Sequence, residues 1–395
     1  MLGGISSMAD RRNFFLLVVS AFVSTVLSWT ASKASEVKLV PGGPEKTLFK
    51  WDPMKCGESF IPDAPARAFR RADGRISLYA THFDNWTLVG ATFDTLRPDC
   101  RATMRSSDYA SQGMGSLWIE ATYTEDGRNI VGLVSQDLTA KMKELGCDPA
   151  GKPGKCWLNN IIAVQSRDMG ETFEPLATDK RVVASLGQSY SDSKTLRHGY
   201  FTTSNIVASE EFFYVFMYAQ GEGVQKPGNC LFRTQSPLDP SSWRGWDGAG
   251  YNIVPRPNGR ETGACQPVAP NILTHEIRSV SFITASRTWV AVFANRLKMG
   301  EEKEAVPGFY MSSSKDLLNW NAPTRIMETP TRPRIDSWER TTGYPAIIDP
   351  ESRSRNFDTI DGPNPVLLYT VHHLKNGQGT MNRDLVYVPL RIESQ

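Results

Sequence analysis

A two-part unit that recurs five times constrains the fold of this chain more than any other feature. Its first part is a small or polar entry followed by a β-rich apolar strand. It occurs as PDAPARAFRRADGRISLYATH from Pro62, GSLWIEATYTEDGRNIVGLVS from Gly115, TTSNIVASEEFFYVFMYA from Thr202, CQPVAPNILTHEIRSVSFIT from Cys265, and GYPAIIDPES with NPVLLYTVHH from Gly343. The second part is a strand running into a Ser/Asp turn and an aromatic residue: AVQSRDMGETF from Ala163, LFRTQSPLDPSSW from Leu231 and FYMSSSKDLLNW from Phe309, with a loose counterpart, FDNWTLVGATFD, from Phe83. Asp73-Gly74 and Asp126-Gly127 fall between apolar strands, where hairpins place residues of positive φ. Residues 35–395 shared among five units give about 72 residues each, too long for a solenoid repeat and enough for a four-stranded blade. With 31 Gly and 25 Pro, turns are favoured over long helices, and Leu138 to Leu145 is the best helical candidate. The pattern predicts an all-β fold, a five-bladed β-propeller, as one domain over residues 35–395.

Residues 1–34 read as an export signal: Arg11 and Arg12 precede the apolar run Phe14 to Trp29, and the small-x-small sequence Ser32-Lys33-Ala34 follows. The run is diluted by Ser20, Ser24, Thr25 and Ser28 and is shorter than the roughly 20 residues a membrane span needs. A secreted or periplasmic protein without stable membrane insertion is expected. Without Arg11, Arg12, Lys33 and Asp10, the 44 basic and 42 acidic residues become 41 of each, so nucleic acid is not an expected partner. Six cysteines in an exported chain point to disulfides. Cys147–Cys156 is the favoured pair, with Cys56–Cys100 and Cys230–Cys265 following from proximity. No CxxC spacing suggests zinc.

The turn SRDMGETF (Ser166, Asp168, Gly170, Thr172, Phe173) resembles the Asp-box of sialidases and related propellers. Its carboxylate caps backbone N–H groups, its glycine permits positive φ, and its aromatic packs between sheets, so it specifies fold and not chemistry. With these repeats the chain resembles the five-bladed propeller glycoside hydrolases of the arabinanase, xylosidase and invertase type. That resemblance implies a glycan ligand held in a central cavity and an Asp just before the first strand of the first blade as base or nucleophile, a place occupied by Asp63. The family's EGP or ECP acid motif has no counterpart here.

Glycosidic cleavage needs a second carboxyl group. Glu120 is the next candidate, because it precedes Asp126-Gly127 by six residues as Arg67 precedes Asp73-Gly74; in the family the second-blade carboxylate often orients the acid. Glu261, ahead of CQPVAP, and Glu339, ahead of GYPAII, are the reserve acids. Arg67 offers a planar donor fork. Trp86 is a candidate sugar platform, and His198, Asn205, Gln266, Tyr344 and His372 are candidate substrate-binding residues at the strand entries. No cofactor is expected, although a structural ion such as calcium could occupy the channel. Asn85-Trp86-Thr87 is an N-glycosylation sequon. Two other functions compete. A sialidase-like hydrolase would draw on Arg67, Arg278, Arg340, Tyr344 and Glu339, and a non-catalytic carbohydrate-binding or interaction propeller would need no acid at all. Oligomeric state is not legible.

Overall fold

The computed structural model describes residues 37–138, 157–187, 197–221, 225–255, 263–331 and 339–394. The expected export signal, most of the helix candidate, Cys147, Cys156 and Glu261 lie outside them. Among the described residues the chain is all-β, with only short helical turns, and no helix is long and apolar enough to cross a membrane. The pairs Cys56–Cys100 and Cys230–Cys265 are disulfide-bonded.

The strands pair as antiparallel meanders in chain order. The first runs through Arg67–Arg70, Ile76–Tyr79, Thr87–Gly90 and Arg97–Asp99. In the second, Ser116–Tyr123, Ile130–Asp137 and Trp157–Ser166 are followed by the short outer strands Glu174–Pro175 and Val182–Ala184. Arg197–Thr203, Phe212–Gln220, Gly228–Thr234 and Arg244–Gly245 make the third. The fourth comprises Ser279–Ile283, Thr288–Leu297, Val306–Ser314 and Thr324–Glu328. Arg340–Ile348, Val366–Lys375 and Gln378–Ser394 form the fifth, whose outer strand, Val37–Pro41, comes from the other end of the chain.

Apolar packing joins these meanders face to face. One cluster lies at each seam: Phe69 and Tyr79 meet Leu117 and Ile162 between the first and second, Ile161 meets Tyr200 between the second and third, and Phe216 meets Phe293 between the third and fourth. Phe309 meets Tyr369 across the next seam, and Leu78 and Leu88 meet Leu368 and Leu385 where the fifth returns to the first. Each sheet is therefore buried on both faces, which explains near-continuous apolar strands such as Ile130–Asp137 in place of strict alternation. At the outer edges, Ser166 and Asp168 close the turn that carries Phe173: the Gly170 N–H donates to Ser166 Oγ at 2.9 Å and the Thr172 N–H to Asp168 Oδ1 at 3.0 Å. The Asp316 carboxylate accepts from the Leu318 and Asn319 N–H groups and presents Trp320 in the same way. Phe173 and Trp320 are both buried.

Buried asparagines tie adjacent sheets together. Asn85 Nδ2 donates to Leu117 O at 2.8 Å and its Oδ1 accepts from Ile119 N–H at 2.8 Å. Asn205 does the same to both backbone groups of Val280, each at 2.8 Å. The sequon Asn85-Trp86-Thr87 is closed to modification in the folded chain: Asn85 is fully buried, and its amide is consumed by the seam. Asn85→Ala leaves a buried carbonyl and a buried N–H without partners, so urea denaturation should register a loss of about 2–4 kcal/mol, with the far-ultraviolet circular dichroism of the native state unchanged.

Candidate active site

Arg67, Glu120, Thr203 and Tyr344 stand on the first, inner strands of the first, second, third and fifth meanders, and Arg278 immediately precedes that of the fourth. Arg67 joins four of these segments. Its guanidinium is buried and donates from Nε to Glu120 O at 2.7 Å, and from Nη2 to Thr203 O at 3.0 Å and Arg278 O at 2.7 Å. Burial pulls its pKa down to about 9, with the Glu120 charge pushing the other way and Arg278 adding to the fall.

Local backbone irregularity aims the side chains. Register shifts interrupt three inner strands, between Ile119 and Ala121, between Phe201 and Thr203, and between Gly343 and Ala346. Such bulges leave a residue unpaired and redirect its side chain. At two of them a non-glycine residue adopts positive φ, Thr202 at 50° and Tyr344 at 55°, a strained conformation of the kind that clusters at functional sites.

Two carboxyl groups here have unlike surroundings. Glu120 Oε2 accepts from the Thr203 N–H at 2.7 Å, and burial pushes its carboxyl above the usual range against the pull of that N–H, Arg278 and Arg67. Asp63, in the lead-in to the first inner strand, is ion-paired to Arg383. It also accepts the Tyr344 hydroxyl at 2.9 Å and faces His82 Nε2 at 3.5 Å. Burial lowers the His82 pKa against the Asp63 charge, and burial and Asp63 together raise that of Tyr344. A third carboxylate, Glu276, bridges Arg197 and Arg278 at 2.8 Å each. Burial raises its pKa, but the two guanidinium groups outweigh that and hold it below the ordinary value. The Arg278 guanidinium lies 5.3 Å from the Tyr344 ring centre, connecting this pair to Asp63.

The space beside Arg67 is small. A cavity of about 10 Å3, lined by Arg67, Thr122, Asn205, Ser279, Ile347 and Asn356 among others, has room for about one water. The loop 349–362 crosses its base. Asn356 pairs with both backbone groups of Thr124 in the second meander. Asp358 accepts the Ala208 N–H of the third at 3.0 Å, its carbonyl accepts Phe282 N–H of the fourth, and Arg355 O accepts Arg70 N–H of the first.

The structure gathers Asp63, Glu120, Arg67 and Tyr344, and His372 packs behind Tyr344, its ring 5.8 Å away. His198 lies on the third inner strand, in register with Leu158. Asn205 spends its amide on Val280. Three expectations need correction. Trp86 is buried in the core with its ring 5.3 Å from Phe60, because aromatic packing at the seam claims its faces. Glu339 is exposed. Gln266 is also exposed, at the outer edge, where its N–H donates to Trp246 O. Arg340 pairs with Glu45 at 2.7 Å, so the sialidase-like set is not assembled around Tyr344. Glu276, Arg383 and His82 join the site as residues the sequence reading did not assign to it, and Arg278, named there only for the sialidase-like alternative, joins them. Repeat alignment offered one signal, an arginine near the start of the first and fourth inner strands. Among the described residues no group of three His, Cys, Asp or Glu side chains could hold a metal ion.

No family model matches the chain, and no curated protein matches it. Among solved structures it is similar to a family 117 glycoside hydrolase produced by the marine bacterium Zobellia galactanivorans, with 10% identity over 91% of this chain and 90% of that chain and a TM-score of 0.49. It is similar also to the α-L-arabinanase of Cellvibrio cellulosa, at 11% identity over 82% and 91% of the two chains with a TM-score of 0.45. An α-L-arabinofuranosidase from Podospora anserina aligns at 10% identity over 88% and 95%, with a TM-score of 0.46.

The raised pKa of Glu120 has a consequence for stability. An acid whose folded pKa exceeds its unfolded value contributes stability that is complete below the unfolded value and is lost as pH rises through the folded one. Glu120→Gln keeps an acceptor for the Thr203 N–H and removes the charge. Its melting temperature should exceed that of the native chain by about 2 °C near pH 8 and converge with it near pH 4; differential scanning calorimetry at the two pH values checks the sign.

Proposed function

We propose that the five meanders are the blades of a five-bladed β-propeller spanning residues 35–395, exported behind the 1–34 signal, and that the protein is a glycoside hydrolase working at the open end of its axial channel. The observation that carries this reading is the placement of two carboxyl groups in opposite environments at one end of the inner strands. Glu120 is pushed by burial toward the protonated form, while Asp63 is held in an ion pair with Arg383. Environments that separate two carboxyl groups in this way divide acid from base. In this mechanism Glu120 donates its proton to the leaving glycosidic oxygen as that bond breaks. Asp63 attacks the anomeric carbon or takes a proton from the water that does. Tyr344 and Arg383 fix the Asp63 carboxylate, and Arg67 and Thr203 fix Glu120. The disulfides Cys56–Cys100 and Cys230–Cys265 suit an oxidising compartment.

A second reading, a glycan-binding propeller without hydrolysis, is favoured by one observation: Asp63 is already engaged by Arg383, Tyr344 and His82. Kinetics separates the two. On soluble arabinan, xylan and their 4-nitrophenyl glycosides, Asp63→Asn should lower kcat/KM by about two orders of magnitude or more. Glu120→Gln should suffer that loss on the polysaccharides and a smaller one on nitrophenyl glycosides, whose leaving group needs little protonation. Turnover by Asp63→Asn within threefold of native would remove Asp63 from the chemistry, and binding without any turnover by the native chain would establish the second reading.

A further inference from the structure

The seam where the fifth meander meets the first is filled by apolar side chains through most of its depth and opens into a cleft toward the base of the molecule. The cleft measures about 520 Å3, and its lining includes Lys46, Phe93, Asp94, Asn364, Leu368 and Tyr387. That volume lies within the range of small-molecule sites. Arg70, at the far end of the strand that begins with Arg67, also lines it, so the cleft and the Glu120 level lie toward opposite ends of the inner strands.

Its chemistry is mixed in a particular way. Leu368 and Val366 make a buried apolar floor, and Phe93 and Tyr387 supply aromatic walls. Around the rim, Lys46, Asp94 and Asn364 are exposed. Among the described residues no hydrogen bond or ion pair engages the Lys46 ammonium, the Asp94 carboxylate or the Asn364 amide; the ammonium lies 6.0 Å from the Tyr387 ring centre. The rim thus offers free donors and free acceptors together. An anion would meet Asp94, and a purely apolar ligand would strip water from three polar groups without replacing it, at a cost of a few kcal/mol. A sugar satisfies the whole set, since its hydroxyls both donate and accept while its C–H face lies against an aromatic ring.

We propose that this cleft is a second carbohydrate-binding site, remote from Glu120 and Asp63, that holds one or two residues of a polysaccharide chain. It does not depend on the catalytic reading. Affinity electrophoresis of the full chain through native gels containing soluble arabinan, xylan or hydroxyethylcellulose tests it. At least one polysaccharide should retard the native chain, and Glu120→Gln and Asp63→Asn should be retarded equally. Lys46→Ala/Asp94→Ala, which alters exposed side chains only, should weaken the apparent affinity about tenfold, as expected for two lost hydrogen bonds. Ala91→Trp, also at an exposed position in the lining, should do the same by filling the space. Thermal melts of both variants should match the native chain. The proposal is overturned if no polysaccharide retards the native chain, or if both cleft variants migrate as it does. Loss of retardation in the Glu120 and Asp63 variants alone would place all binding at the axial site and leave the cleft empty. Hydrolysis by the native chain, present or absent, bears on the catalytic reading only.

Discussion

One guanidinium reaches from its own strand to the carbonyls of three others. Arg67 can do this only where four meanders bring their inner ends together. Taking such a cation out of water is costly. The cost is offset by carbonyl oxygens that would otherwise face one another unpaired across the axis, and by the nearby Glu120 carboxylate. The same arrangement fixes Glu120 twice, since its own carbonyl accepts from Arg67 Nε and its carboxylate accepts from Thr203, whose carbonyl also binds Arg67. A change at Arg67 would therefore be felt simultaneously in the packing of the sheets and in the orientation of the acid.

The repeat was legible because hairpins are local. Asp73-Gly74 and Asp126-Gly127 sit at the turns their chemistry predicts, and Phe173 and Trp320 pack inward from edge turns that the sequence marks with Ser and Asp. Glu120 was singled out by its offset from Asp126-Gly127 and Asp63 by the family resemblance, and each is linked by hydrogen bonds to a neighbouring meander. What escaped was the long-range pairing. Arg383 lies 320 positions from Asp63, and Arg197 lies 79 from Glu276; no periodicity connects them, because only the packing of one meander against another brings them together. Trp86 failed for a different reason. A tryptophan just ahead of a short strand reads identically whether its face meets solvent or Phe60, and only the seam decides. Asn85 carries a glycosylation pattern in sequence and a fully satisfied buried amide in space.

Three of the register shifts fall on inner strands where the chemistry is proposed, beside Glu120, Thr202 and Tyr344; others lie further out, as between Phe309 and Tyr310 and between His372 and Leu374. A regular strand would alternate its side chains between the two seams and leave none directed along the axis. The bulges release particular residues from that alternation, and the flanking sheets hold the strained backbone of Thr202 and Tyr344 in place. Stability and site geometry are in this sense drawn from the same strands, with the paired portions supplying one and the shifted portions the other.

The loop 349–362 gives the axis a floor. It is knotted at its neck by Asp349, whose carboxylate accepts from the backbone of Glu351, Asp361 and Gly362, and it is fastened to four meanders at once. If the protein is the propeller hydrolase proposed above, this loop and Arg67 bar passage along its axis at two heights. A glycan chain could then not be threaded through the molecule as a rope through a pulley; it would have to dip in and back out by one doorway, where an incoming chain end and a departing fragment compete for space.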